Sequence, residues 1–588
     1  MRTATLCRIL QAELAPFDGR LSTAWRVAAT CTLTVMVFMT YGIPLAAIGC
    51  YLVLFLMKPN PAETMLMAIG ICVLVALMVP VLFGATLLAI EYPVWRMAII
   101  VVLSCFFMFL GAASQVGPAG GIIALVIVFV LTMLGEVPFG EVATRAILYA
   151  ALMALVPMGV LLGFNGFFGP SVPGRLRQAL AQRLDTAAAT LDGTDTNARH
   201  QALEILREGN GELQKMALFI RLFHITPTLE TQALTQAITQ TRDLLLAAAA
   251  CAAPSHLAQQ IRADAALLRA GQTPALSYPD IPSWDAAKSA TSPLAHRGFF
   301  AADAWRNPLY VRYALKTTLA ALICYWIYTA IQWQDIHTAL ITCYVGALGT
   351  TAETLHKLTL RITGCLIGAA LGVASIYFFM PLMDSIGQLM VLVFLVTLLA
   401  AWVSTGSERS SYAGVQIGLA FLLTVLQGFG PDVQMDAAFY RVMGILLGNL
   451  VMYLVFTRIW PISAAAAVRT HLQQVLDSLS PSAQRPHGPD VAQLQTDIIP
   501  ALQQLGYARA QLALSVFEPA HVRPNPAETT HLRDLVNQLE SFYLQAVNPP
   551  EGTTPPITAM RQRLQGQLAD SPRASPPAWR PGTHGESP

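Results

Sequence analysis

Between residues 21 and 165 the chain carries only eight charged side chains: Arg26, Lys58, Glu63, Glu91, Arg96, Glu136, Glu141 and Arg145. Each lies at or near the end of an apolar run. A bilayer interior forces that placement, because an unpaired ion there costs several kcal/mol. The runs give six expected spans, at 25–41, 44–57, 65–90, 97–113, 122–134 and 147–168. Some are long enough to cross hydrocarbon alone, at about 17 residues or more, and others need their flanks.

The character changes at Pro170. Residues 175–304 alternate Leu and Ala with Gln, Arg, Glu and Asp at helical spacing, with Leu206, Leu213 and Ile220 on one face. That pattern predicts a soluble helical module. Apolar density returns in six further runs, at 317–331, 336–348, 358–380, 389–403, 412–429 and 442–456, and a second polar helical stretch covers 463–547. The Pro-rich end reads as disordered. The expected organisation is a cytoplasmic segment 1–20, membrane half one 21–169, a module 170–305, half two 306–461, a module 462–547 and a tail 548–588. The fold class is therefore all-α: a polytopic membrane protein of two parallel repeats of six transmembrane helices, each followed by a cytoplasmic helical module.

Landmarks recur in the same order in both halves. Arg20 and Arg26 precede the first span of half one as Arg306 and Arg312 precede that of half two. Ala62-Glu63-Thr64 recurs as Ala352-Glu353-Thr354, and Arg145 matches Arg441 ahead of the sixth span. With the N-terminus inside, Arg8, Arg20, Lys58, Arg175, Lys357 and Arg409 fall on inner loops and Glu91, Glu136, Asp384 and Asp432 on outer ones. Both modules and both termini are then cytoplasmic, and the halves are related by an axis along the membrane normal. No cleavable signal peptide is needed.

Composition closes off other classes. Of 588 residues, 55% are apolar and 12% charged, against about a quarter charged in soluble domains. That excludes a cytosolic enzyme, a secreted disulfide scaffold and a disordered hub. Lys+Arg 36 against Asp+Glu 34 leaves a net charge of +2, without the basic excess of a nucleic-acid binder. There is no phosphate loop, no HExxH and no GxSxG. The nine cysteines form no CxxC pair. No catalytic residue, metal or cofactor is expected. Gly364, Gly368 and Gly372, then Gly444 and Gly448, and Gly159 and Gly163, stand four apart, a spacing that lets helix backbones approach closely in lipid.

The run "GTTAETLHKLTLRITGCLIGAALG" over 349–372, "GVQIGLAF" with Gln416, and "RVMGILLGNLVMYLVFTRIWP" over 441–461 resemble the fusaric acid resistance family of bacterial inner-membrane proteins. "FDGRLSTAWR" and "YGIPLAAIGCYLVLFL" are similar to its N-terminal half. The resemblance implies efflux of small aromatic carboxylic acids or related amphipathic compounds, with multidrug-type relatives. It also implies a periplasmic membrane fusion protein and an outer-membrane channel as partners. The resemblance extends distantly to plant anion channels gated by aluminium and malate, which keeps a passive channel open. A non-transporting membrane scaffold is the other alternative.

Within that frame Arg145 and Arg441 are expected to grip a carboxylate across the pseudo-two-fold axis, since guanidinium donates two parallel hydrogen bonds. Arg361 and Gln416 join them as substrate-binding residues. Asp335 and His337 are the proton-coupling pair, because His titrates near neutrality. The short runs 44–57 and 336–348 occupy matching positions in the halves, a pointer to a substrate site.

Overall fold

Charge exclusion in half one resolves into six helices: α1 (Arg20–Tyr41), α2 (Ala46–Leu56), α3 (Pro61–Ala89), α4 (Pro93–Ala113), α5 (Pro118–Met133) and α6 (Gly140–Phe168). Among the described residues five more polar helices follow, α7 (Val172–Asp192), α8 (Ala198–Glu208), α9 (Gly211–Leu222), α10 (Thr228–Ala249) and α11 (Leu257–Arg269). The second apolar group is α12 (Pro308–Ala330), α13 (Thr338–Gly346), α14 (Thr351–Phe378), α15 (Ile386–Ser404), α16 (Ser411–Val425) and α17 (Asp436–Arg458). The chain continues with α18 (Ala464–Ser478), α19 (Val491–Leu514), α20 (Pro526–Val547) and α21 (Ile557–Ala569). A two-residue antiparallel ladder, Leu426–Gln427 with Gly430–Pro431, follows α16. This computed structural model describes residues 15–16, 19–89, 92–133, 140–193, 197–250, 256–274, 276, 278, 298–301, 303–333, 336–407, 409–427, 430–431, 436–479, 491–547 and 557–569.

Local chemistry sets the helix ends. Gly42, at φ 62, closes α1 in the left-handed conformation that costs glycine least. Thr350 and Glu353 form a reciprocal capping box at α14, and Ser385 and Gln388 do the same at α15. The Asn307 side chain accepts the Leu309 N–H at 3.0 Å to start α12. Seven helices, α1, α3, α4, α6, α14, α15 and α17, are long and apolar enough to cross a membrane among the described residues. The protein is a polytopic membrane protein.

The two apolar groups interlock. α1 lies on α15 while α4 lies on α12, and α2 meets α16 while α5 meets α13. One apolar core joins α1 and α2 to α15 and α16; another joins α3 to α6 with α12, α13, α14 and α17. Polar groups stitch the same seams. Arg20 donates from Nε and Nη2 to the Trp402 carbonyl at 3.0 and 2.6 Å, with its guanidinium 4.7 Å from that indole. Ser104 Oγ lies 2.7 Å from both Thr318 Oγ1 and Tyr344 Oη.

The two polar helical segments, separate in sequence, share one core. Leu184, Leu206 and Ile261 of the first are in one cluster with Leu472, Leu505 and Leu539 of the second. Arg207 and Arg509 converge on Glu540 at 2.5 and 2.7 Å. The tail is not wholly irregular: α21 falls inside 548–588, with Leu564 and Leu568 in the same core. Its apolar residues Ile557, Met560, Leu564 and Leu568 follow helical spacing that the flanking prolines obscure. The remainder of that tail, 548–556 and 570–588, lies outside the described residues, as do residues 1–14 and 279–297.

Candidate functional site

Helices α2 and α13 span 11 and 9 residues, only about 16 and 13 Å at 1.5 Å per residue, half the hydrocarbon thickness. Both are largely buried, and both line a cavity of ≈ 2300 Å³ that runs between the halves and reaches α18 and α19. Its wall is mostly aliphatic, with a cationic strip from Lys357, Arg361 and Arg441. Among the described residues its carboxylates are Asp303 and Asp477, both outside the membrane helices.

Arg361 is the centre of this strip. The sequence places it near the inner start of a span beginning at residue 358, but the Thr350 capping box begins α14 at Thr351. Arg361 therefore sits about 15 Å along the helix. Its side chain is 2% exposed. Nε donates to Thr342 Oγ1 at 3.2 Å, and Nη1 donates to Tyr412 Oη at 3.0 Å and Gln416 Oε1 at 3.2 Å. These are neutral acceptors, and no carboxylate among them offsets the guanidinium charge. Gln416 is itself 1% exposed; its Oε1 accepts from Arg361, and its Nε2, without a bond inside 3.5 Å, faces the Tyr51 hydroxyl.

Half one contributes the facing surface. Tyr51 of α2 lies beside Arg361 and Tyr412 and stacks on Phe55, with ring centroids 6.0 Å apart. Lys357 Nζ stands 5.1 Å from the Tyr412 ring centroid. Cation, amide donor and flat aromatic surface thus meet at one wall, a set suited to an aromatic carboxylate. Sequence reasoning did not single out Tyr51, Tyr412, Thr342 or Lys357. The positions of tyrosines in short or capped spans were the available signal.

Arg441 lines the cavity, as does His337, whose ring lies 5.4 Å from that of Phe129. Asp335 lies outside the described residues. Arg145 is not brought to Arg441: it pairs with Glu141 at 2.6 Å on the surface, its side chain 71% exposed. Gly364, Gly368 and Gly372 abut α16, where an added Cβ at Gly364 would stand 2.6 Å from the Ala413 carbonyl and one at Gly372 2.7 Å from Thr424 Cβ. Gly444 and Gly448 abut α13, with an added Cβ at Gly448 2.7 Å from the Ala339 carbonyl. Gly159 and Gly163 face open space.

First-turn glutamates join each membrane half to its module. Glu63 of α3 accepts from Lys58 at 3.1 Å and from Lys215 of α9 at 2.8 Å. Glu353 of α14 accepts from Tyr507 Oη at 3.2 Å and from Gln511 Nε2 of α19. At the start of α18 the fully buried Glu518 accepts the Ala464 N–H at 2.7 Å. Burial pushes its carboxyl up to about 7, with Glu528 adding to the rise against the Ala464 bond and Arg523.

Comparison with known proteins gives a family and relatives. Residues 322–455, all within half two, match the family model described as fusaric acid resistance protein-like. The chain is 29% identical to multidrug resistance protein MdtO of Escherichia coli (strain K12) over 528 residues, 81% of this chain and 75% of that one. The corresponding protein of Shigella flexneri is 28% identical over the same shares. No solved structure matches the chain. The family resemblance drawn from the residues is borne out.

Proposed function

We propose that this protein is an inner-membrane efflux transporter that exports small aromatic carboxylic acids or related amphipathic compounds. The observation that carries this reading is Arg361, buried, held by three neutral acceptors and lining a large cavity beside the buried Gln416 amide and Tyr51. Lys357 and Arg441 add further cations to that wall, whereas Arg145 is paired with Glu141 at the surface. The family match and the multidrug resistance proteins support export rather than enzyme chemistry. Two parallel six-helix repeats are supported by the reciprocal packing of α1 on α15 and α4 on α12. The proton motive force drives transport in this reading, with His337 and Asp335 as the coupling pair. A periplasmic membrane fusion protein and an outer-membrane channel complete the route, and both termini lie in the cytoplasm.

The test is uptake of a labelled aromatic carboxylate into inverted membrane vesicles under an imposed pH gradient. Accumulation above equilibrium, about tenfold slower in Arg361→Ala, is the expected result. The length of the cavity favours one competitor, a passive anion channel, for which flux would stop at equilibrium. Absence of flux in correctly folded protein would overturn transport and leave the scaffold reading.

A further inference from the structure

Each soluble module turns one helical hairpin toward the membrane helices. Lys215 of α9 bonds Glu63 in the first turn of α3, and Leu218 and Leu222 follow it on the same helix face, three and seven residues on. Ala62 belongs to the module core, with Met65 and Leu66 of α3 packed against it. α9 therefore lies level with the first two turns of a membrane helix. A second tie fixes the far side of the hairpin: Arg177, early in α7 and just past the end of α6, pairs with Glu230 in the first turn of α10. Between these ties the chain exposes Leu218, Leu222, Phe223, Ile225 and Leu229, with Leu222 at 59% and Leu229 at 79%.

The second module repeats the arrangement. Tyr507 and Gln511 of α19 bond Glu353 in the first turn of α14. The turn after α19 then exposes Val516, at 68%, and Phe517, whose ring lies 4.5 Å from that of His356 on α14. Arg221 and Arg523 are exposed beside the two apolar tips. Trp25, Phe164 and Phe168 form a ring contact chain at the ends of α1 and α6, at the same edge of the membrane helices. Aromatic side chains at that level mark the lipid headgroup region.

We infer that the hairpin tips at 218–229 and 515–523 are lipid-interface anchors. Their apolar side chains enter the headgroup boundary of the leaflet on the module side, to a depth of about 5–10 Å. Arg221 and Arg523 meet lipid phosphate there, so anionic phospholipid is the favoured surface. Two anchors, one on each module, would hold the soluble bundle at a fixed height below the cavity mouth.

The experiment uses the full-length protein in liposomes of phosphatidylethanolamine and phosphatidylglycerol. An environment-sensitive thiol dye is placed through Leu222→Cys or Val516→Cys, with Glu204→Cys on α8 as the solvent-side control and unsubstituted protein as background. Lipids bearing a shallow nitroxide should quench the first two dyes by about half and leave the Glu204→Cys dye unchanged. Quenching at both test positions no greater than at the control would overturn the proposal. Disulfide cross-linking between copies at Leu222→Cys, without quenching, would overturn it in favour of a second copy of the chain on this face.

Discussion

Helices α3 and α14 begin in the same way and diverge within three turns. Thr64 Oγ1 accepts the Lys58 N–H at 3.0 Å and donates to the Asn60 carbonyl at 3.0 Å; Thr354 Oγ1 accepts the Leu348 N–H at 3.2 Å and donates to the Thr350 carbonyl at 2.9 Å. On the register these two cages set, Arg361, Gly364, Gly368 and Gly372 of half two stand against Ile71, Leu74, Met78 and Leu82 of half one. The glycines let α14 lie along α16 backbone to backbone. The bulky residues hold α3 away from α5, and all four line the cavity. One scaffold thus does two jobs: half two packs tightly and carries the charge, while half one makes the room.

The largest expected effect breaks the tight side. Gly368→Leu drives a side chain into Ile417 and Ala420 and should destabilise the fold by about 3 kcal/mol or more. At the opposed position Met78→Leu conserves volume and should cost less than about 1.5 kcal/mol; thermal melting in detergent compares the two. Next comes the charge. Arg361→Ala should lower carboxylate transport about tenfold, one lost charge-assisted bond of ~1.4 kcal/mol or more, while neutral amphipathic substrates stay within about twofold. Equal loss for both substrate classes would remove Arg361 from carboxylate recognition.

A smaller effect concerns the junction of half two with its module. Folding raises the Glu518 carboxyl from its ordinary range to about 7, so the folded state binds the proton more tightly than the unfolded one. The stability linked to that proton is complete below the ordinary carboxylate range and is lost as pH rises through about 7. Glu518→Gln keeps an acceptor for the Ala464 N–H and removes the titration. Its melting temperature should hold between about pH 5 and pH 8, where that of the parent falls by a few degrees. Smallest of all is Arg145→Ala. Exposed i,i+4 pairs are worth about 0.3–0.5 kcal/mol, so transport should change less than about twofold; a larger drop would restore Arg145 to the substrate path.

The apolar helices were legible because charge exclusion is a one-dimensional signal, readable wherever Lys58, Glu63 or Arg96 interrupts a run. Arg361 and Gln416 were legible as residues but not as a site. Their meeting at 3.2 Å depends on α14 lying against α16, and the Lys357 and Arg361 charges themselves made the span seem to begin too late. The reciprocal seams between halves join residues far apart in sequence, and periodicity carries no record of partners. Cysteines offered one clue that went unread. Cys31 and Cys50 face each other between α1 and α2, and Cys324 and Cys343 do so between α12 and α13, with sulfurs 3.5 Å apart. Each pair is separated by 19 residues, so the spacing repeats with the halves.

The shared core of the soluble bundle also sets a timetable for biosynthesis. The first module is translated through Arg269, yet the side chains that complete its core extend to Leu568. Roughly 300 residues of further synthesis intervene, about 15–60 s at ~5–20 residues per second. Through that interval the first module lacks the side chains that complete its core, and part of its apolar surface is uncovered. Leu206 and Ile261 reach their full burial only when the second module arrives to close the bundle.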